Sequence, residues 1–347
     1  MIFLPAALTA QDSTFDKREY AARRERLLER IKDGVAFVFA AEEHPYNVRF
    51  RQAPDFYYLT GIEQAGAVLM MNGVTKTVSV FVLHSPGGGG LHDDTTASAR
   101  YGVTVRPMEN FFLNLGFATG SPDVRALYLP LTAPDDQLHA RFESRLFVAG
   151  LRDHPLLGRT TAVEQAVDRI RAAEPKLAVV DVSPLLEDLR WVKTPYEITR
   201  LRRAGQIGAA AVAEAMRGTR PGMYEYEIAA AAQYVNTRMG ARGDAFLPIV
   251  PSGPNAPNVH YEANTRRMLA GEVVYLDYGS DYDYYESDIT RVWPISGKFS
   301  AEQEKMYRCV LEASKAIIAS MKPGTTIPMM QATAESVYTR LGYKDAF

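Results

Sequence analysis

The chain has 347 residues, a length sufficient for two domains. Its content of 47% hydrophobic and 23% charged residues is typical of globular proteins. Its 39 basic residues nearly balance its 41 acidic residues, which argues against a protein that binds nucleic acid or an acidic membrane surface. Cys309 is the only cysteine, so neither an intrachain disulfide nor a cysteine-based zinc site is expected. No stretch approaches the roughly 20 apolar residues that cross a bilayer.

The N-terminal segment 1–14 begins with apolar residues and continues with small ones, a pattern typical of a leader or the remnant of a secretory signal. It is short, however, and lacks the basic residues that precede the apolar region of such signals. We therefore expect a cytoplasmic protein and keep export as the alternative.

Residues 15–183 alternate strand patterns with amphipathic helical patterns, and this alternation predicts an α/β domain. The first helix is expected over about 15–31, followed by a glycine stop. The predicted strands are 35–39, 67–71, 77–83, 104–106 and 126–129. The remaining predicted helices are 95–101, 135–149 and 161–173.

A domain boundary is predicted near 183–194, and residues 184–347 form the second predicted domain. It begins with a helix from Pro195 to Gly218, because proline is favoured in the first helical turn and glycine at the end. A second helix is expected over about 224–239.

The helical pattern of the second domain returns 102 residues later in the chain. Pro221-Gly222 matches Pro323-Gly324, and Arg238-x-Gly240 matches Arg340-x-Gly342. Because the turn residues match at both ends of the second helix, the pattern indicates an internal duplication of a helix–helix–sheet unit. The second copy would end before its sheet begins, so we expect an α+β domain whose second repeat is incomplete.

Two aspartates, Asp277 and Asp288, lie on opposite strands of a predicted β-hairpin in the second domain. With the turn centred between Tyr282 and Asp283, apolar residues form cross-strand pairs and the two aspartates face each other directly. Facing carboxylates repel, so a cation is expected between them. The natural candidates are one divalent metal ion, or two ions about 3.5–4 Å apart.

Several motifs together resemble those of the Xaa-Pro aminopeptidases (aminopeptidase P) of the pita-bread metallopeptidases. The resemblance extends over most of the chain. It rests on Phe50-Arg-Gln-Ala-Pro-Asp-Phe-Tyr-Tyr-Leu-Thr-Gly-Ile-Glu63, Lys193-Thr-Pro-Tyr-Glu-Ile-Thr-Arg-Leu-Arg202, Ile249-Val-Pro-Ser-Gly-Pro-Asn-Ala256, His260-Tyr-x-x-Asn264, Leu276-Asp-Tyr-Gly279, Ser287-Asp-Ile-Thr-Arg-Val-Trp-Pro294 and Gly297-Lys-Phe-Ser300.

The resemblance implies two divalent metal ions of the Mn²⁺ type and a bridging hydroxide that attacks the Xaa-Pro peptide carbonyl. The family's first two metal ligands carry over onto Asp277 and Asp288, one binding a single ion and the other bridging the pair. The family's histidine before the first aspartate motif carries over onto His260, near the scissile bond. Thr290 and Arg291 either orient Asp288 or simply lie on the sheet face. The family's other ligands, one histidine and two glutamates, would lie beyond Phe347.

By this resemblance the substrates are peptides with proline at the second position, and the family often forms homo-oligomers through its first domain. Three alternatives stay open. A prolidase-type dipeptidase shares the metal motif. A non-catalytic pita-bread binding module and a creatine-hydrolase-like enzyme that works without metal are disfavoured, because both aspartates are present.

Overall fold

The computed structural model describes residues 16–43, 49–83, 95–131, 149–150, 152–156 and 158–346. The chain divides into two compact units, Met1–Tyr196 and Glu197–Phe347. The domain limits expected from sequence, 15–183 and 184–347, stay a prediction. The expected leader at 1–14, and the expected helix at 135–149 apart from its last residue, lie outside the described residues. Among the described helices, none is long and apolar enough to cross a membrane.

The first unit is built on a six-stranded mixed sheet. Its strands are Gly34–Phe39 (β1), Val68–Asn72 (β2), Thr77–Val82 (β3), Thr104–Pro107 (β4), Ala126–Leu129 (β5) and Ala178–Asp181 (β6). Its described helices are Lys17–Leu28 (α1), Pro54–Thr60 (α2), Thr95–Tyr101 (α3), Phe111–Thr119 (α4), Ala162–Ala173 (α5) and Ser183–Trp191 (α6).

The sheet of the first unit carries helices on both faces. Its strand order is β4-β3-β2-β1-β5-β6, with β2 antiparallel to β1 and β3 and the other neighbours parallel. On one face α1, α2 and α6 pack through residues such as Leu27, Phe56 and Leu186. On the other face α4 and α5 pack through Phe111 and Ile170. This layering is the expected α/β domain.

Four elements of this unit were not predicted from the sequence, namely α2, α4, β6 and α6. The two short helices α2 and α4 are rich in aromatic residues and show no clear helical period. Helix α6 lies within the segment 183–194 and buries Leu186 and Leu189. The first helix ends at Leu28, earlier than expected, since the buried Ile31 follows the helix and extended its apolar pattern.

The second unit combines two helix pairs with short strands. Its helices are Pro195–Gly218 (α7), Glu225–Arg238 (α8), Ala301–Ser320 (α9) and Ile327–Arg340 (α10). Its described strands are Gly243–Asp244 (β7), Val273–Tyr278 (β8), Ser280–Tyr282 (β9), Tyr285–Glu286 (β10) and Ile289–Pro294 (β11). Helices α7 and α8 share a buried cluster with Val274, Leu276 and Tyr278. Because side chains alternate along a strand, Tyr275 and Asp277 lie on the opposite face of β8.

The helix pairs repeat as the sequence predicted. Helices α8 and α10 have 14 residues each and begin 102 residues apart, and α7 and α9 end at the same offset. The turn glycines Gly222 and Gly324 have φ angles of 92° and 95°, a left-handed conformation that favours glycine. The duplication of the helix pair is therefore visible in the backbone. Incompleteness of the second repeat stays a prediction.

Candidate active site

The aspartate hairpin turns one residue later than the sequence predicted. Its two central turn residues are Asp283 and Tyr284, whose φ angles of 55° and 68° are typical of a type I′ turn. Asp277 consequently pairs with Thr290, so the expected direct pairing of Asp277 with Asp288 was wrong. The dipeptide Asp-Tyr lacks the glycine that usually marks such a turn, which is why the sequence did not locate it.

The two aspartates still lie on one face of the hairpin. Asp288 precedes Thr290 by two residues, so both share the face of Asp277, and the aspartates are diagonal neighbours. Although Asp288 is exposed as a residue, partial desolvation of its carboxyl raises its pKa, and the charge of Asp277 and a hydrogen bond with it raise this pKa further. The predicted electrostatic conflict is therefore present in a diagonal geometry.

Asp277 is held from both sides, through its carboxylate by β11 and through its backbone by Ile249. Thr290 Oγ1 donates a hydrogen bond to Asp277 Oδ1 at 2.7 Å. On the other side, the Asp277 N–H donates to the Ile249 carbonyl at 2.9 Å, and the Ile249 N–H donates back at 3.1 Å. The sequence left open whether Thr290 orients Asp288. The structure shows that it contacts Asp277 instead.

Gly279 allows the segment between β10 and β11, which carries Asp288, to approach the end of β8. A Cβ atom at this glycine would lie 2.1 Å from the Ser287 carbonyl oxygen and 2.7 Å from Ala245 Cβ. Both distances are far below van der Waals contact, so a larger residue would push the strands apart. The glycine of the Leu276-Asp-Tyr-Gly279 motif thus helps to place Asp288 beside Asp277.

His260 is exposed in a loop attached to the same sheet face as Asp277. Tyr275 lies two residues before Asp277 on β8, and its hydroxyl donates to the Asn258 carbonyl at 3.1 Å. Burial raises the pKa of Tyr275, and the charge of Asp277 adds to the rise. The loop of His260 is therefore anchored next to the aspartates.

Asn264 explains the second half of the His260-Tyr-x-x-Asn264 motif. Its side chain accepts a hydrogen bond from the Val250 N–H at 2.9 Å and donates one to the Pro248 carbonyl at 2.7 Å. Its φ of 48° is left-handed, a conformation that asparagine tolerates better than most residues. Asn264 thus joins the histidine loop to the segment that pairs with Asp277.

Glu225, which was not predicted as a site residue, is fully buried behind the loop of His260. An acidic residue in the first turn of a helix is ordinarily a solvated partner of the helix dipole, so no sequence signal marked it. Tyr261, the neighbour of His260, donates its hydroxyl hydrogen to Glu225 at 2.8 Å.

The aspartate pair offers hard oxygen ligands, which suit Mn²⁺ or Mg²⁺. Within the described residues, no group of three or more histidine, cysteine, aspartate or glutamate side chains is arranged to hold a metal ion. The geometry brings the carboxylates of Asp277 and Asp288 together and anchors the loop of His260 to the same face, whereas their role as metal ligands stays a prediction.

Comparisons with known proteins agree with these motifs. Residues 199–347 match Metallopeptidase family M24, and residues 20–87 match the Aminopeptidase P N-terminal domain. The chain is 31% identical over 344 residues to the Xaa-Pro aminopeptidase of Escherichia coli (strain K12), covering 94% of this chain and 72% of that protein.

Solved structures show the same architecture. A structure from Bacillus anthracis shares the fold with a TM-score of 0.81 at 24% identity, covering 96% of this chain and 78% of that chain. Aminopeptidase P from E. coli with the inhibitor Pro-Leu gives a TM-score of 0.77 at 26% identity, covering 94% and 73%. A zinc-substituted form of that enzyme was solved in complex with product. The chain therefore belongs to the Xaa-Pro aminopeptidase family of M24 metallopeptidases, with an aminopeptidase P N-terminal domain followed by a pita-bread domain, as the sequence motifs predicted.

Proposed function

We propose that this metallopeptidase hydrolyses the Xaa-Pro bond at the N-terminus of peptides, with Asp277 and Asp288 as metal ligands. The observation that carries the proposal is the diagonal pair of carboxylates on the face of β8 that points away from the core, in a chain of this family. A divalent ion bound between the two carboxylates would neutralise both of their charges.

The donor set fits hard divalent cations. Two carboxylates that raise each other's energy in the absence of a cation would be relieved by binding one, and carboxylate oxygens favour Mn²⁺ or Mg²⁺ over softer metals. When bound, such ions supply a Lewis acid for the scissile carbonyl and a hydroxide nucleophile at neutral pH. We propose Mn²⁺ as the native ion and two ions as the stoichiometry.

The protein's own residues orient the reactants. Thr290 and the backbone of Ile249 hold Asp277, so its carboxylate needs little rearrangement on metal binding. His260 is exposed on the anchored loop, where its imidazole would donate a hydrogen bond to the peptide next to the scissile bond.

The preferred substrate is a peptide with proline at its second position. The E. coli relative is an Xaa-Pro aminopeptidase, and its structure with Pro-Leu contains a dipeptide that begins with proline. We extend this preference to the present chain. Assembly into a homo-oligomer through the first domain stays a prediction.

The test is to assay the full-length gene product with Mn²⁺ on an Arg-Pro-Pro-type peptide and on an Xaa-Pro dipeptide. We expect release of the N-terminal residue from the longer peptide, loss of this activity in Asp288→Asn, and no loss in the control Asp168→Asn, an exposed acid on α5. Cleavage of the dipeptide alone would assign a prolidase-type dipeptidase. Activity that survives in Asp288→Asn would remove Asp288 from the metal site.

A further inference from the structure

Glu225, the first residue of α8, is a fully buried carboxylate surrounded by hydrogen-bond donors. Its Oε1 accepts from the Ser252 N–H at 2.8 Å, from the Ser252 hydroxyl at 2.6 Å and from Asn255 Nδ2 at 3.4 Å. Its Oε2 accepts from the Tyr261 hydroxyl at 2.8 Å and from the Arg266 N–H at 2.9 Å. A carboxylate buried this deeply is tolerated only when its oxygens are satisfied in this way.

All these donors belong to one stretch of chain, residues 252–266, which carries His260. The bonds reach its beginning at Ser252, its middle at Tyr261 and its end at Arg266. Helix α8 is itself packed into the core through Ile228 and Ala232. One carboxylate on a fixed helix therefore holds the whole stretch.

A positive charge stabilises this buried carboxylate. Arg266 donates two hydrogen bonds to Glu272, each at 2.7 Å, and a third to the Ser252 hydroxyl oxygen at 2.9 Å. The guanidinium thus lies beside the residues that contact Glu225. The hydrogen bonds with Glu272 raise the pKa of Arg266 most, and the charges of Glu272 and Glu225 add to the rise. Through Ser252 and Arg266 the network connects the two ends of the stretch 252–266.

Tyr261 is the member of this network closest in sequence to the proposed catalytic residue. Its hydroxyl is directed inward to Glu225, whereas the adjacent His260 is exposed. Neighbouring side chains in an irregular, extended segment point in different directions, so fixing one restricts the orientation of the other. This hydrogen bond, the tether of Tyr261 to Glu225, therefore limits the orientations that the His260 side chain can adopt.

The second repeat shows that a helix pair of this type does not itself require the buried acid. The residue 102 positions after Glu225 is Ile327, also the first residue of its helix, and it is 69% exposed. The two positions have the same place in the backbone and different surroundings. The helix pair can therefore carry an apolar residue at this position, and the side-chain hydrogen bonds of Glu225 are made with the stretch 252–266.

We propose that Glu225 and Tyr261 are positioning residues, which hold the loop so that the imidazole of His260 is aimed at the bound peptide. This inference rests on the proposed function of His260 and adds to it the residues that fix its orientation. Their effect on turnover passes through His260, and this distinguishes positioning from general support of the fold.

The kinetic test is a double-mutant cycle between Tyr261→Phe and His260→Ala. Phenylalanine keeps the ring and removes the hydroxyl, and we expect kcat to fall by about 10- to 100-fold, as for other residues that orient a catalytic group. In the His260→Ala background, Tyr261→Phe should cause no further loss. Tyr226→Phe is the matched control, because Tyr226 is an exposed tyrosine of α8, the helix that carries Glu225. This substitution should leave kcat unchanged.

A second measurement does not depend on activity. Amide hydrogen exchange, followed by mass spectrometry, should become faster over residues 256–264 in Tyr261→Phe and stay unchanged in α7. Unchanged exchange in this loop would overturn the proposed tether, even if the protein proved inactive.

The outcomes separate the two proposals. If wild-type protein cleaves no Xaa-Pro peptide, the proposed function fails, and faster exchange in Tyr261→Phe would still support the tether. If wild-type protein is active and His260→Ala is impaired, equal losses from Tyr261→Phe with and without His260 would overturn positioning through His260. Wild-type kcat in Tyr261→Phe would overturn it as well.

Discussion

Thr290 and Asp277 face each other across the aspartate hairpin, and Thr290 Oγ1 donates a hydrogen bond to Asp277 Oδ1 at 2.7 Å. The bond occupies one carboxylate oxygen and leaves the other oriented for a cation. Because Ile249 fixes the backbone of Asp277 on the opposite edge, the side chain is held before any metal binds. Such outer contacts commonly set the affinity of a metal site.

Thr290→Val should weaken the binding of Mn²⁺. Valine has nearly the same shape but lacks the hydroxyl, so the Asp277 carboxylate would lose its orienting donor. We expect the dissociation constant to rise by about 10- to 100-fold, measured by isothermal titration calorimetry. Thr290→Ser keeps the hydroxyl and should bind like the wild type. Equal affinities for the valine and serine variants would show that the bond does not orient a ligand.

Asp288→Asn should stabilise the protein in the absence of metal. The substitution removes one of two like charges that lie diagonally on a sheet face, and we expect a gain of about 0.5 kcal/mol in unfolding free energy at pH 7. Urea denaturation in the presence of EDTA measures it. When Mn²⁺ replaces EDTA the order should reverse, because only the wild type gains stability from binding. A variant that is less stable under both conditions would contradict the repulsion argument.

The helix pairs of the second unit could be predicted from sequence because their ends carry strong local signals. Pro-Gly and Arg-x-Gly recur at a fixed offset, and the helices begin and end close to these motifs. The cross-strand pairing of the two aspartates was predicted less well. Strand alternation placed Asp277 and Asp288 on one face, which is correct, but the register depends on the turn, and Asp283-Tyr284 carries no marker.

Other features of the site depend on contacts between residues far apart in the chain. The partnership of Thr290 with Asp277 follows from the register, and that of Glu225 with Tyr261 follows from how α8 packs beside a loop. Neither has a period or a spacing that a single sequence displays. The resemblance to a known family singled out His260, whereas only the structure shows what holds its loop.

Glu272→Gln should destabilise the protein at neutral pH and have little effect in acid. The hydrogen bonds from Arg266 are the largest cause that lowers the pKa of Glu272 below its ordinary 4.5. The ion pair therefore stabilises the fold above about pH 4.5 and loses this contribution as the pH falls through the lower, folded-state pKa. We expect a loss of about 1–2 kcal/mol at pH 7.

Urea denaturation of wild type and Glu272→Gln at several pH values provides the measurement. The two curves should converge as the pH falls below 4.5 and through the lowered folded-state pKa of Glu272, because protonated Glu272 resembles glutamine. A difference that stays constant over this range would mean that the charge of Glu272 does not contribute.

Gly279→Ala should destabilise the second unit and weaken metal binding together. The new Cβ would meet the Ser287 carbonyl oxygen at 2.1 Å, and backbone on both strands would have to move. Overpacking of this kind costs about 1–3 kcal/mol, and the displaced segment, between β10 and β11, is the one that carries Asp288. Gly205→Ala in α7 is the matched control, because nothing lies within 4 Å of its added methyl group. Since alanine favours a helix over glycine, this control should gain about 0.5–1 kcal/mol. Thermal unfolding and Mn²⁺ titration of both variants measure the two effects, and a Gly279→Ala protein with wild-type affinity for Mn²⁺ would show that the close approach of the strands does not position Asp288.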